Sequence, residues 1–158
     1  MIAVVVLLVI VVLVVVFVIA QYNGLVRLRN ETQNAWAQVD VVLRRRYDLV
    51  PNLVETVKGY AAHERETLEA VIQARSGAID ASAVADQADS ENMLSGALRR
   101  LFALSEAYPA LKADSNFMEL QKELVQTEGL IGYARGSYNE SGLAFNNKSQ
   151  VFPSHIIA

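Results

Sequence analysis

Residues 117–145 read FMELQKELVQTEGLIGYARGSYNESGLAF. Phe117, Leu124, Ile131, Tyr138 and Phe145 fall seven apart, and Leu120, Thr127, Ala134 and Ser141 sit at the intervening steps of three and four. At 3.6 residues per turn such a series shares one helical face. A sustained seven-residue repeat favours the shallow crossing angle of left-handed helical bundles. The stretch therefore predicts a long helix packed against other helices, with Asp114 or Ser115 as its N-cap.

The preceding sequence carries three more helical stripes. Leu25, Leu28, Trp36, Val39 and Leu43 define the first, between residues 22 and 47, with Arg29, Glu31 and Arg44 to Arg46 interleaved. Asp48-Leu49-Val50-Pro51 reads as a break, because proline disfavours helix at the residue before it and suits the first turn of a new helix. The second stripe follows to about Arg75 through Leu53 or Val54, Val57, Tyr60 or Ala61, Leu68, Val71 and Ile72, with Gly77 placed as a C-terminal cap. Residues 78–90, rich in Ala, Ser and Asp, read as a loop or weak helix. The third stripe begins at Met93 or Leu94, continues through Ala97, Leu98, Leu101 and Leu104, and closes at Tyr108-Pro109.

Residues 1–20, MIAVVVLLVIVVLVVVFVIA, contain no charged side chain. Twenty residues at about 1.5 Å each span about 30 Å, the hydrocarbon thickness of a bilayer. Valine favours strands, but a lone strand in lipid leaves its backbone groups unpaired, so a helix is expected. A cleaved signal peptide is the rival reading, with Val18-Ile19-Ala20 resembling a cleavage site. The apolar run exceeds the usual core of about 7–15 residues, and no Lys or Arg follows Met1 to make a basic leader, so a retained anchor is expected. No proline separates this run from the first stripe, and Asn23-Gly24 is the one weak point in what reads as a continuous helix.

The expected fold class is thus all-α, an N-terminal transmembrane helix followed by an antiparallel four-helix bundle. Its parts are an anchor at 1–20, the bundle at 21–149 and a C-terminal tail at 150–158. The lipid bilayer is the partner of the anchor. Arg27 and Arg29 are the first charges beyond the span, so the positive-inside bias puts the N-terminus outside and the bundle in the cytoplasm; an exported bundle is the alternative.

Of the 158 residues, 53% are hydrophobic, and the formal net charge of −3 arises entirely beyond the apolar run. Nucleic acid would require a basic stripe able to neutralise several phosphates, so no nucleic-acid partner is expected. With no cysteine, thiolate metal sites, disulfides and thiol catalysis are excluded. His63-Glu64-Arg65-Glu66-Thr67 begins like a zinc-protease helix, but threonine stands where the second histidine would be, and the other histidine is His155. Glu64 with Glu66, or Glu119 with Glu123, reads as a solvated helix face and not as an acid–base pair, which would need a cleft and divergent pKa values. No nucleophile motif or glycine-rich phosphate loop is present. No catalytic residue, metal or cofactor is expected; a cluster of Asp40, Glu64 and Arg135 in one cleft would reopen the enzymatic reading.

Arg44, Arg45 and Arg46 form the densest charge in the chain and are the candidate partner-binding patch. On a straight helix Arg44 would lie about 35 Å beyond residue 20, which favours a protein partner or solvent over lipid headgroups.

Three runs then resemble one family closely: YNGLVRLRN at 22–30, AWAQVD at 35–40 and RRYDLVPNLVETVKGY at 45–60. Thr127-Glu128, Ala134-Arg135, Tyr138-Asn139 and Phe152-Pro153-Ser154 agree as well. The pattern resembles the bacterial LemA family across nearly the whole chain. That resemblance implies a membrane helix, a four-helix bundle and an N-terminus outside, and it supplies no enzymatic activity or catalytic residues. Gly129-Leu130 and Gly136-Ser137 depart from it where relatives commonly carry bulkier or charged residues, and the sequence ends at Ala158 without the short aromatic tail of many relatives. Glycines inside a helix cost about 1 kcal/mol each relative to alanine, so they mark either a close contact or a looser C-terminal half. The functional expectation is a non-enzymatic scaffold or interaction protein, as a homo-oligomer or bound to another membrane or envelope protein; the alternative is an outward-facing surface filament or assembly subunit.

Overall fold

A computed structural model describes residues 1–156; Ile157 and Ala158, the end of the expected tail, lie outside the described residues. The elements are α1 (Ile2–Tyr60), α2 (Arg65–Asp80), α3 (Val84–Ser105), a single turn α4 (Pro109–Lys112), α5 (Ser115–Gln150) and a 3-10 turn at Ser154–Ile156. The chain is all-α, with an N-terminal helix long and apolar enough to cross a membrane. Every side chain from 1 to 20 is exposed, with none of the described residues covering it. An apolar surface that large is unsustainable in water and marks a membrane segment.

Two compact units are present, one formed by residues 41–131 and the other by 1–40 with 132–158. In the first, the end of α1, then α2, α3 and the start of α5 make a four-helix core. The short connections 61–64 and 81–83 allow only antiparallel neighbours. Leu43, Val50, Leu53 and Val57 of α1 are buried, as are Leu68 and Val71 of α2 and Leu94, Leu98 and Leu101 of α3. The seven-residue series on α5 faces inward as its spacing predicts: Phe117, Leu124, Thr127 and Ile131 are all buried. Asp114 caps that helix, its Oδ1 accepting the Phe117 N–H at 2.9 Å. In the second unit, Leu25, Ala35 and Ala134 are buried and the Trp36 and Tyr138 rings meet at 5.1 Å between centroids.

Three expected boundaries are corrected. Pro51 is inside α1 and not at its end, because exposed Pro51 disturbs no neighbour and the carbonyl it leaves without an N–H donor finds another partner. Gly77 is inside α2; the cap is Ala81, whose N–H returns to the Gly77 carbonyl. Residues 78–90 are largely helical, with only 81–83 between α2 and α3, since tertiary packing of Ala78 and Glu91 outweighs the weak propensity of their neighbours.

Candidate functional site

The apolar stripes of α1 and α3 each contain a charged residue. On α1 the inward series runs 39, 43, 46, 50, 53, 57, and position 46 is arginine; on α3 the series 94, 98, 101 extends back to Glu91 and Gln87. Arg46 is 3% exposed and Glu91 1%. Arg46 Nη1 lies 3.0 Å from Glu91 Oε2 and 3.0 Å from Glu128 Oε2 of α5, while its Nη2 donates to Ser95 Oγ at 2.8 Å. One guanidinium thus bridges α1, α3 and α5, using the several fixed donors that lysine lacks.

The adjacent residue extends the network to α2. The Tyr47 hydroxyl donates to Glu91 Oε1, and Gln87 Nε2 donates both to the Tyr47 hydroxyl oxygen at 2.9 Å and to the Ala78 carbonyl at 3.0 Å. Arg75 Nε donates to the main-chain carbonyl of Tyr47 at 2.7 Å. Burial, reinforced by the hydrogen bond to Glu91 and its negative charge, pushes the Tyr47 phenol well above its ordinary range. Among the described residues no buried side-chain polar atom lacks a partner. A network of this kind fixes helix register, because sliding any one helix strands a charge in the interior.

A second polar group joins the far turns of the same unit. The Tyr60 hydroxyl at the end of α1 donates to Asp114 Oδ2 at 2.8 Å, and the Tyr108 hydroxyl donates to Glu64 Oε1 at 3.0 Å. The Phe117 N–H, then the Tyr60 hydroxyl, hold the Asp114 carboxyl below its usual range. Both phenols are raised, chiefly by donating to these carboxylates.

The candidate basic patch does not stay together. Arg46 points into the core, whereas Arg44 and Arg45 are exposed, with Arg45 Nη2 3.8 Å from Glu123. His63 is exposed and Glu64 serves Tyr108, so the zinc-protease-like run forms a turn and the start of α2. Glu119 and Glu123 line an open groove with Asn52, Glu55 and Asn116. Asp40 and Arg135 fall in one compact unit and Glu64 in the other. Among the described residues no three His, Asp or Glu side chains are grouped as metal ligands. A shallow groove between α2 and α3 is lined mainly by Ala70, Ala74, Gly77, Gly96 and Ala97, with Arg100 as its one charged group. Ser90 supplies its one hydroxyl, with no histidine or carboxylate in the lining beside it.

The sequence reading missed Glu91, Gln87, Tyr47 and Glu128 as a unit. The available signal was positional: Arg46 and Glu91 occupy steps of an apolar series where a solvated charge does not belong.

A family model described as the LemA family matches residues 35–158, most of the chain. The chain belongs to the LemA family. Protein LemA of Metamycoplasma hominis is 28% identical over 144 residues, covering 89% of this chain and 64% of that protein. Magnetosome proteins MamQ 1 and MamQ 2 of Paramagnetospirillum magneticum are each 25% identical over 167 residues, covering 89% of this chain and 61% of theirs. This LemA-family chain therefore spans somewhat under two thirds of the length of these relatives. Its apolar first helix and these relationships make it a membrane-associated helical protein.

Proposed function

We propose that this LemA-family chain is a non-enzymatic membrane-anchored scaffold whose bundle associates with further copies of itself. Residues 1–20 hold it in the bilayer, 21–149 present the bundle and 150–158 form the tail. The observation that carries the reading lies on α5. Gly129, Gly132 and Gly136 recur at steps of three and four, and a Cβ added at any of them would meet nothing within 4 Å. Each costs the helix about 1 kcal/mol relative to alanine, and no neighbour in the same chain requires it. A second chain lying close along that face would require it, and exposed Val125 and Tyr133 flank the glycines to provide apolar contact. The buried charges support the same view, since they are spent on one another and not aimed at a cleft. Two relatives carry names that tie them to a cell structure, the magnetosome, and not to a reaction.

Hydrodynamic mass of the full-length protein in detergent, and of a version beginning at Gln21, tests the proposal. Assemblies in both, disrupted by Gly132→Leu, are expected. A monomer in both at all concentrations overturns it; assembly of the full-length form alone assigns association to the membrane helix. The bundle faces the cytoplasm in this reading, with Arg27 and Arg29 on the inner side. Protease digestion of intact cells separates this orientation from the exported alternative: cleavage of the bundle without lysis would reverse it.

A further inference from the structure

Gln21 is the first polar residue beyond the twenty-residue apolar run, and its side chain holds the other end of the chain. Gln21 Oε1 accepts from Lys148 Nζ at 2.6 Å and from Ser154 Oγ at 3.2 Å, which uses both lone pairs of the amide oxygen. Ser154 is only 2% exposed. The turn that presents it is closed by main-chain bonds from the His155 N–H to the Val151 carbonyl and from the Ile156 N–H to the Pro153 carbonyl. Large apolar side chains nevertheless point away from the protein throughout this short segment: Val151, Phe152 and Ile156 are 59%, 78% and 73% exposed. Tyr22, next to Gln21, is 55% exposed.

The headgroup layer on each side of a bilayer is about 5–7 Å thick. A segment hydrogen-bonded to the first residue after the span lies within that layer. There Phe152, Val151 and Ile156 meet the boundary between headgroups and acyl chains, where aromatic and aliphatic side chains are favoured. Lys148, bonded to Gln21, reaches the same level, and its long apolar stem with a charged tip suits that boundary. We propose that the turn at 151–156 is a second membrane-binding element, inserting Phe152 and its apolar neighbours into the bilayer interface beside the spanning helix. The occupant of this surface is lipid, because the surface is continuous with the segment already in the membrane. Anchoring at two points fixes the rotation and tilt of the spanning helix, which a uniformly apolar helix alone leaves free.

The natural chain has no cysteine, so single-cysteine variants of the full-length protein take one spin label each. In phosphatidylcholine–phosphatidylglycerol vesicles, labels at Phe152→Cys and Ile156→Cys are compared for collision with oxygen, which partitions into lipid, and with a water-soluble nickel chelate. Val9→Cys is the reference for the bilayer interior. Ala37→Cys is the aqueous reference, exposed and about 24 Å beyond Gln21 along α1. The expected result is an oxygen-to-nickel ratio at 152 and 156 several-fold above that at 37 and shifted toward that at 9. Ratios equal to that at 37 overturn the proposal, as do labels shielded from both reagents, which would place a protein surface there. An aqueous ratio at 9 refutes the span itself and is read separately from the behaviour of the turn. Val151→Cys repeats the measurement should either variant fail to fold.

Discussion

Arg75 donates from Nε to the carbonyl of Tyr47, the carbonyl that Pro51 deprives of its intrahelical donor four residues on. Proline within a helix costs about 3 kcal/mol, partly through this lost bond. The chain offsets part of that cost from α2. Because the donor is charged, the contact is worth about 1.5–3 kcal/mol. Arg75→Met is therefore expected to destabilise the protein by about that amount, read from thermal unfolding in detergent by circular dichroism. In a Pro51→Ala background the alanine N–H takes over the carbonyl, and the same substitution should cost clearly less. Equal costs in the two backgrounds would show that Arg75 acts through packing alone.

The core pair obeys a different arithmetic. Glu91→Leu leaves buried Arg46 with Ser95 and, as counter-charge, the exposed Glu128, and breaking a buried pair from one side costs about 3–5 kcal/mol. Replacing both, Arg46→Met with Glu91→Leu, removes the charge along with its desolvation and should cost less than Glu91→Leu alone. The same unfolding measurement decides this. A double variant as unstable as the sum of the singles would mean that the two residues do not act as a pair.

Much of the fold was legible because hydrophobic spacing is a direct record of burial. Phe117, Leu124 and Ile131 declared a buried face without help from any other segment, and Asp114 was readable as a cap because capping is local chemistry. At Pro51, and in the helical share of residues 78–90, tertiary contacts prevail over what local propensity suggests. Arg46 and Glu91 were hidden for another reason. A charged side chain suggests the surface by its type, although its position in the series places it inside. The pairing could not be read from one sequence, since nothing in the order of residues states which helix supplies the counter-charge. The turn at 154–156 reaches Gln21 across more than 130 positions, and sequence spacing carries no trace of that contact.

Tyr47 gives the fold an alkaline limit. Its phenol titrates well above the ordinary value of 10.0 in the folded chain, so the folded state holds this proton more tightly than the unfolded one. The stabilisation is complete below the unfolded pKa of about 10 and is lost as pH rises from there toward the folded pKa. Tyr60 and Tyr108, raised through Asp114 and Glu64, act in the same direction. Unfolding midpoints are expected to fall more steeply above pH 10 in the natural chain than in Tyr47→Phe. The variant itself is expected to be about 1–2 kcal/mol less stable at neutral pH, since Glu91 and Gln87 lose their shared hydroxyl. Identical alkaline slopes would show that Tyr47 ionises as freely folded as unfolded.

Asp114 sets the corresponding acid response with the opposite sign. The Phe117 N–H and the Tyr60 hydroxyl both donate to its carboxylate and hold its pKa below the ordinary 3.8. The stabilisation is present above the unfolded value and disappears as pH falls through the lower, folded one. Asp114→Asn keeps an oxygen that can cap α5 but has no titrating group, so its stability should converge on that of the natural chain as the pH is lowered through this range. Asp114→Ala loses the cap at every pH and should stay below both at neutrality. Unfolding midpoints of the three proteins from pH 6 to pH 2 test the assignment. An asparagine variant whose difference from the natural chain is constant over that interval would show that the cap, and not the charge, is what Asp114 contributes.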